Sequence, residues 1–235
     1  MGYLTVLGCL LIAFGPLVAF FTLVLAKRAT LVILAIGAGF AWLCGLFLAS
    51  MLWYAVVPAR GSLVVTAVVG VLCTELTRFL FWLVWTKGHQ SLNQDAGKRL
   101  ESETLLGWEA VAAGVGSGFC GSLTYAGMLW AAWGPGTLGN SRCFGASVFV
   151  VGAVGCLLWS VLQVFWTLAW HRAYRRGSWL LAAATLAHHL ALSVLSVFNS
   201  GQFGEAAWLC LVPLLSQLAS VAALSAVVWR RLKQA

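Results

Sequence analysis

Three polar groups stand inside long apolar runs of this chain: Glu75 with Arg78, Gln163, and His188 with His189. A carboxylate, an amide and an imidazole at membrane depth could relay protons or line a wet path for an ion or solute. Each intramembrane ionisable group costs about 2.5–3.5 kcal/mol on insertion scales, so each needs a partner or a purpose. Glu75 and Arg78 are three residues apart and can pair along one helix face. The plainer expectation is that they neutralise each other while Arg78 snorkels toward the cytosol. For His189 the plainer expectation is a neutral imidazole hydrogen-bonded between helices. His188 and His189 point about 100° apart on a helix, so at most one of them faces a given partner.

Most catalytic constellations are missing. An intramembrane aspartyl protease needs two converging carboxylates, whereas Asp95 is the only aspartate and lies in a polar stretch. No H-E-x-x-H zinc motif and no G-x-S-x-G nucleophile elbow occurs. The seven cysteines, Cys9, Cys44, Cys73, Cys120, Cys143, Cys156 and Cys210, show no C-x-x-C spacing and read as small buried hydrophobes. We therefore expect no catalytic residue, no metal and no cofactor. The net charge of +8 sits at the ends of apolar runs, without a basic stripe interleaved with aromatics, so no nucleic acid is expected as a partner.

The elements that carry these residues follow from composition. With 62% apolar and 9% charged residues and a mean hydropathy of +0.95, the solvent must be lipid, because water-soluble domains average about 45–50% apolar and about 25% charged. About 20 apolar residues cross a bilayer as one helix. The 235 residues thus form one all-α integral membrane domain of seven transmembrane helices, over about 3–26, 31–57, 63–85, 108–133, 144–170, 179–198 and 206–229. Trp and Tyr near the run ends, including Tyr3, Trp53, Trp85, Trp108 and Trp179, form an interfacial belt. Lys27, Arg28, Lys87, Lys98, Arg99, Arg172, Arg175, Arg176, Arg230, Arg231 and Lys233 fall on one side; only Arg60 and Arg142 fall on the other. The positive-inside rule places the C-terminus in the cytosol and, with seven spans, the N-terminus in the lumen or outside. The polar stretch of about 87–107 then reads as a cytosolic loop.

The fourth span carries small residues at four-residue spacing on two adjacent faces. Gly114, Gly118 and Ser122 form one ladder; Ala113, Ser117 and Gly121 form the other. Such a ladder makes a shallow groove where another backbone can come close, a main source of helix association in lipid. It marks a packing surface, internal or external.

Several strings resemble the anterior-pharynx-defective (APH) subunit of gamma-secretase. They are Met1-Gly2, Gly8-Cys9 and Ala13-Phe14-Gly15-Pro16; Trp42-Leu43, Leu48-Ala49-Ser50 and Trp53; Glu75 and Arg78-Phe79; Gly134-Pro135-Gly136 and Gly139; Phe165-Trp166; and His189 with Asn199. The resemblance implies a seven-span, noncatalytic scaffold with a lumenal N-terminus, joining nicastrin and presenilin, with the presenilin enhancer completing an intramembrane protease of Notch signalling. It also implies residence in endoplasmic reticulum, Golgi and plasma or endosomal membranes, among lipids. The family's small-residue ladder on span four supports assembly and falls here on Ala113, Ser117 and Gly121, or one residue on, at Gly114, Gly118 and Ser122. Its span-six histidine matches His189, while Gln163 occupies the position of its span-five histidine; an amide can still donate to and accept from His189. A different reading remains open, a small transporter or channel with a polar path at Glu75, Gln163 and His189. So does a third, a stand-alone intramembrane hydrolase.

Overall fold

The computed structural model describes residues 3–95, 103–133, 148–200 and 211–232. Among them run seven α-helices: α1 (Tyr3–Leu23), α2 (Ala29–Ala55), α3 (Leu63–Asp95), α4 (Glu103–Trp133), α5 (Val148–Arg176), α6 (Trp179–Ser196) and α7 (Leu211–Leu232). Short 3-10 turns at Leu25–Lys27, Val57–Gly61 and Val197–Ser200 complete the described elements. In hydrocarbon a helix is the element that satisfies its own backbone, which explains why even β-branched runs such as Val148–Val151 are helical.

Among the described residues, six helices are long and apolar enough to cross a membrane: Tyr3–Lys27, Ala29–Ala55, Leu63–Gly88, Phe149–Arg176, Trp179–Ser196 and Leu211–Val228. The other, α4, has the length with 31 residues but is diluted by Gly, Ser and two glutamates. Its position explains that composition. α4 packs between α2 and α5, and its residues from Ala112 through Gly118 are all buried. A helix that meets protein on most sides has little need of lipid-facing side chains.

The outer faces show the opposite chemistry. Phe40 and Phe47 are each 67% exposed, and Leu4, Val84 and Leu180 are more so, whereas Glu75, Gln163 and His189 are buried. Large apolar groups outside and charges inside suit a lipid solvent.

The stretch expected as a cytosolic loop is helical at both of its ends. α3 continues through Asp95 and α4 starts at Glu103; residues 96–102 lie outside the described ones. At about 1.5 Å per residue, the 33 residues of α3 exceed the roughly 30 Å of a hydrocarbon core, so this helix runs on into water. Expected span residues 144–147 and 206–210, and the resembling Gly134-Pro135-Gly136 and Gly139, also lie outside the described residues.

One tight turn sets the geometry of the polar residues. Gly177 adopts φ +61°, a left-handed conformation that costs glycine nothing. Ser178 N–H donates to Ala173 O (2.9 Å) and Gly177 N–H to Tyr174 O (3.3 Å), closing α5 as a Schellman motif. Ser178 then caps α6, its Oγ accepting from Leu181 N–H at 3.4 Å. The two-residue reversal folds α6 back along α5, which brings His188 and His189 beside Trp166.

Candidate functional site

Glu75, Arg78, Gln163 and His189 converge from α3, α5 and α6 into one buried network. One helical turn places Arg78 Nη1 3.0 Å from Glu75 Oε1, and the same nitrogen donates to Oε2 at 3.3 Å. Arg78 Nη2 donates to Gln163 Oε1 on α5. Glu75 Oε1 also meets His189 Nδ1 on α6; with an ionised carboxylate as acceptor, Nδ1 carries the proton. Glu75 is 4%, Arg78 6%, Gln163 0% and His189 2% exposed. At that burial each charge must be compensated locally, and it is.

Two expectations change here. Arg78 does not snorkel to the interface: its guanidinium is held inward between Glu75 and Gln163. Gln163 and His189 share no hydrogen bond among the described residues; the ion pair of α3 stands between them, each binding a different end of it. The Glu75–Arg78 pair of α3 therefore takes the place of a direct Gln163–His189 bond, while α5 and α6 still touch through Trp166.

The two histidines diverge, as their angular separation requires. The His189 ring stacks on Trp166, with centroids 3.8 Å apart and planes 19° apart, and meets the edge of Trp159 at 5.4 Å. His188 Nδ1 accepts from Trp166 Nε1–H at 2.9 Å. An indole is only a donor, so this His188 nitrogen is unprotonated and Nε2–H is left to donate to Ser220 Oγ at 3.0 Å. Trp166 thus holds both histidines and, through His188, links α5 and α6 to α7.

Both ladders of α4 lie against other helices of the same chain. A Cβ on Gly114 would stand 2.5 Å from Val164 Cα, and one on Gly118 3.0 Å from Ser160 O. Ser122 Oγ meets Ser160 Oγ at 2.9 Å, so the Gly114, Gly118, Ser122 face meets α5. Ala113 packs in a core with Leu34, Ala35 and Ala38 of α2. Ser117 is buried, and a Cβ on Gly121 would stand 3.6 Å from the Trp42 ring of α2. The α2 contact is closest at a residue outside both ladders. Gly116 has the Ala35 backbone, carbonyl oxygen foremost, where a Cβ would go, and a Cβ on Gly39 would lie 3.0 Å from Gly116 O.

Residues 4–231 match a family model described as "Aph-1 protein". The chain belongs to the Aph-1 family. Among its relatives, "Gamma-secretase subunit Aph-1b" of Danio rerio is 30% identical over 209 residues, covering 82% of this chain and 78% of that one. "Gamma-secretase subunit Aph-1" of Drosophila melanogaster is 28% identical over 201 residues, covering 83% and 81%. "Gamma-secretase subunit APH1-like" of Arabidopsis thaliana is 25% identical over 236 residues, covering 96% and 93%.

The sequence pattern of this family member holds two further packing signals. Gly37, Ala41 and Gly45 repeat every four residues on α2; a Cβ on Gly45 would stand 2.8 Å from Thr74 Cα, so this row seats α3. Glu109, one residue into the expected fourth span, is buried and accepts from Trp85 Nε1–H at 3.3 Å. No group of three or more His, Cys, Asp or Glu side chains is placed to hold a metal among the described residues.

Proposed function

We propose that this Aph-1 family member is the noncatalytic scaffold subunit of a gamma-secretase, a membrane-embedded frame that holds its partners by shape. The observation that carries this reading is the way the intramembrane charges are used. Glu75, Arg78, Gln163 and His189 bind one another across α3, α5 and α6, so their chemistry goes into fixing helix positions. Relatives named as gamma-secretase subunits in an animal and a plant support the complex membership.

In this reading all seven helices span the bilayer, with α4 as the sheltered seventh. The N-terminus is lumenal or extracellular and the C-terminus cytosolic, following the Lys and Arg distribution. The ladder residues of α4 act in assembly by locking α2 and α5 into the surface that partners meet. Those partners are presenilin, nicastrin and the presenilin enhancer, in endoplasmic reticulum, Golgi and plasma or endosomal membranes.

The test is affinity purification of the tagged full chain from its native membranes in mild detergent. A stoichiometric complex containing a glycosylated large-ectodomain protein and a polytopic protein with two membrane aspartates is the expected result. Recovery of the chain as a stable lone monomer would overturn the scaffold reading. Liposomes reconstituted with the chain alone supply the second arm: solute or ion flux above protein-free liposomes would favour the transporter.

A further inference from the structure

A small cavity lies where α2, α3, α4 and α5 meet, with Trp42, Thr74, Arg78, Trp82, Ser117 and Thr167 in its wall. The room open there to the centre of a water molecule is about 10 Å³, at the lower edge of the roughly 10–15 Å³ that one water requires. A lipid tail, a peptide or a metabolite is too large for it.

The wall is largely apolar, with Ala38, Ala41, Phe81 and Ala113 among its residues, but the polar groups of its other residues are unevenly satisfied. Arg78 Nε and Trp82 Nε1 are buried N–H donors without an acceptor among the described residues. Neither can escape by acting as an acceptor, because guanidinium and indole nitrogens only donate. The nearby hydroxyls have the complementary surplus. Thr74 Oγ1 donates to Gly70 O at 3.0 Å, Ser117 Oγ to Ala113 O at 3.0 Å, and Thr167 Oγ1 to Gln163 O at 2.7 Å. With their protons committed to their own helices, these oxygens keep free lone pairs.

We propose that this cavity is a binding site for one ordered water molecule, which accepts from Arg78 Nε and Trp82 Nε1 and donates to hydroxyl oxygens among Thr74, Ser117 and Thr167. Two unpaired donors and surplus acceptors on residues that line one cavity are what a water, with two lone pairs and two protons, satisfies in full. An anion would be held by the two N–H groups but opposed by the lone pairs of the hydroxyls. The water completes the shell of Arg78 where Glu75 and Gln163 do not reach, and ties α3 to its neighbours on α4 and α5.

Magnetic resonance of the full chain in lipid bilayers, with 15N-labelled indoles, tests this. The Trp82 Nε1–H signal is assigned by its disappearance in Trp82→Phe. Should that variant not fold, its contact with the His171 ring, 4.8 Å from that of Trp82, assigns it instead. Magnetisation transfer from water to Trp82 Hε1 is expected, and it should fall at least threefold when Ser117→Ala and Thr167→Val together remove acceptors. No transfer in the unmutated chain overturns the proposal, and so does transfer unchanged in the folded double variant. A shift of the Trp82 signal when chloride is replaced by bromide would likewise overturn it, in favour of an anion.

Discussion

Gly116→Ala should cost about 3 kcal/mol, the upper part of the range for forcing atoms into a packed interior, while Gly121→Ala, five residues on, should stay within about 0.5 kcal/mol. The difference lies in what the new methyl meets. At Gly116 it would stand 2.6 Å from the Ala35 carbonyl carbon and 2.9 Å from Ala35 Cα. Those are backbone atoms, and no rotamer change can move them. α2 and α4 would have to separate, opening the core of Leu34, Ala35, Ala38 and Ala113 that they share. At Gly121 the nearest atoms belong to the Trp42 ring at 3.6 Å, an ordinary van der Waals distance. Thermal melts of both variants in lipid nanodiscs, followed by tryptophan fluorescence, separate the two. Equal melting temperatures would refute the close α2–α4 contact.

Removing the carboxylate of Glu75 should have a comparable effect for a different reason. Glu75→Ala leaves the Arg78 guanidinium buried with only Gln163 as a described acceptor, and takes the hydrogen-bond partner of His189 Nδ1. Breaking a buried ion pair by deleting one partner costs about 3–5 kcal/mol, mostly because the other charge remains. Replacing both partners, with Glu75→Leu and Arg78→Met, should therefore be less damaging than Glu75→Ala alone. Gln163→Leu removes one charge-assisted hydrogen bond, about 1.5–3 kcal/mol, and leaves the ion pair standing. The same nanodisc melts should rank Glu75→Ala lowest; a double variant less stable than that single variant would contradict the buried-pair account.

The helices were largely legible because apolar runs of membrane length admit one structure in lipid. The polar cluster was legible as a set, since charges inside such runs have few places to go. Their pairing was not. Gln163 and His189 sit on consecutive helices joined by a two-residue turn, which suggests a direct bond, and only the tertiary placement of α3 puts the Glu75–Arg78 pair between them. The ladder on α4 was legible as a packing surface but not by face. Small residues at 113, 114, 116, 117, 118, 121 and 122 cover so much of the helix circumference that spacing singles out no partner. The continuation of α3 through Asp95 had a quieter signal: the stretch from Lys87 to Asp95 holds no proline to stop a helix already under way.

The sheltered position of α4 bears on how the chain enters the bilayer. Leaving the ribosome, this helix is the one of the seven described without a run apolar enough to cross by itself, and α1 and α2 leave open the side that α5 packs. Its stable integration should wait for α5 to emerge, which makes membrane insertion here a cooperative, order-dependent event. Nascent chains truncated after Trp133 should leave α4 extractable by alkaline carbonate or misoriented by glycosylation tagging, and chains continued beyond Arg176 should not. If both lengths integrate alike, α4 is self-sufficient in lipid.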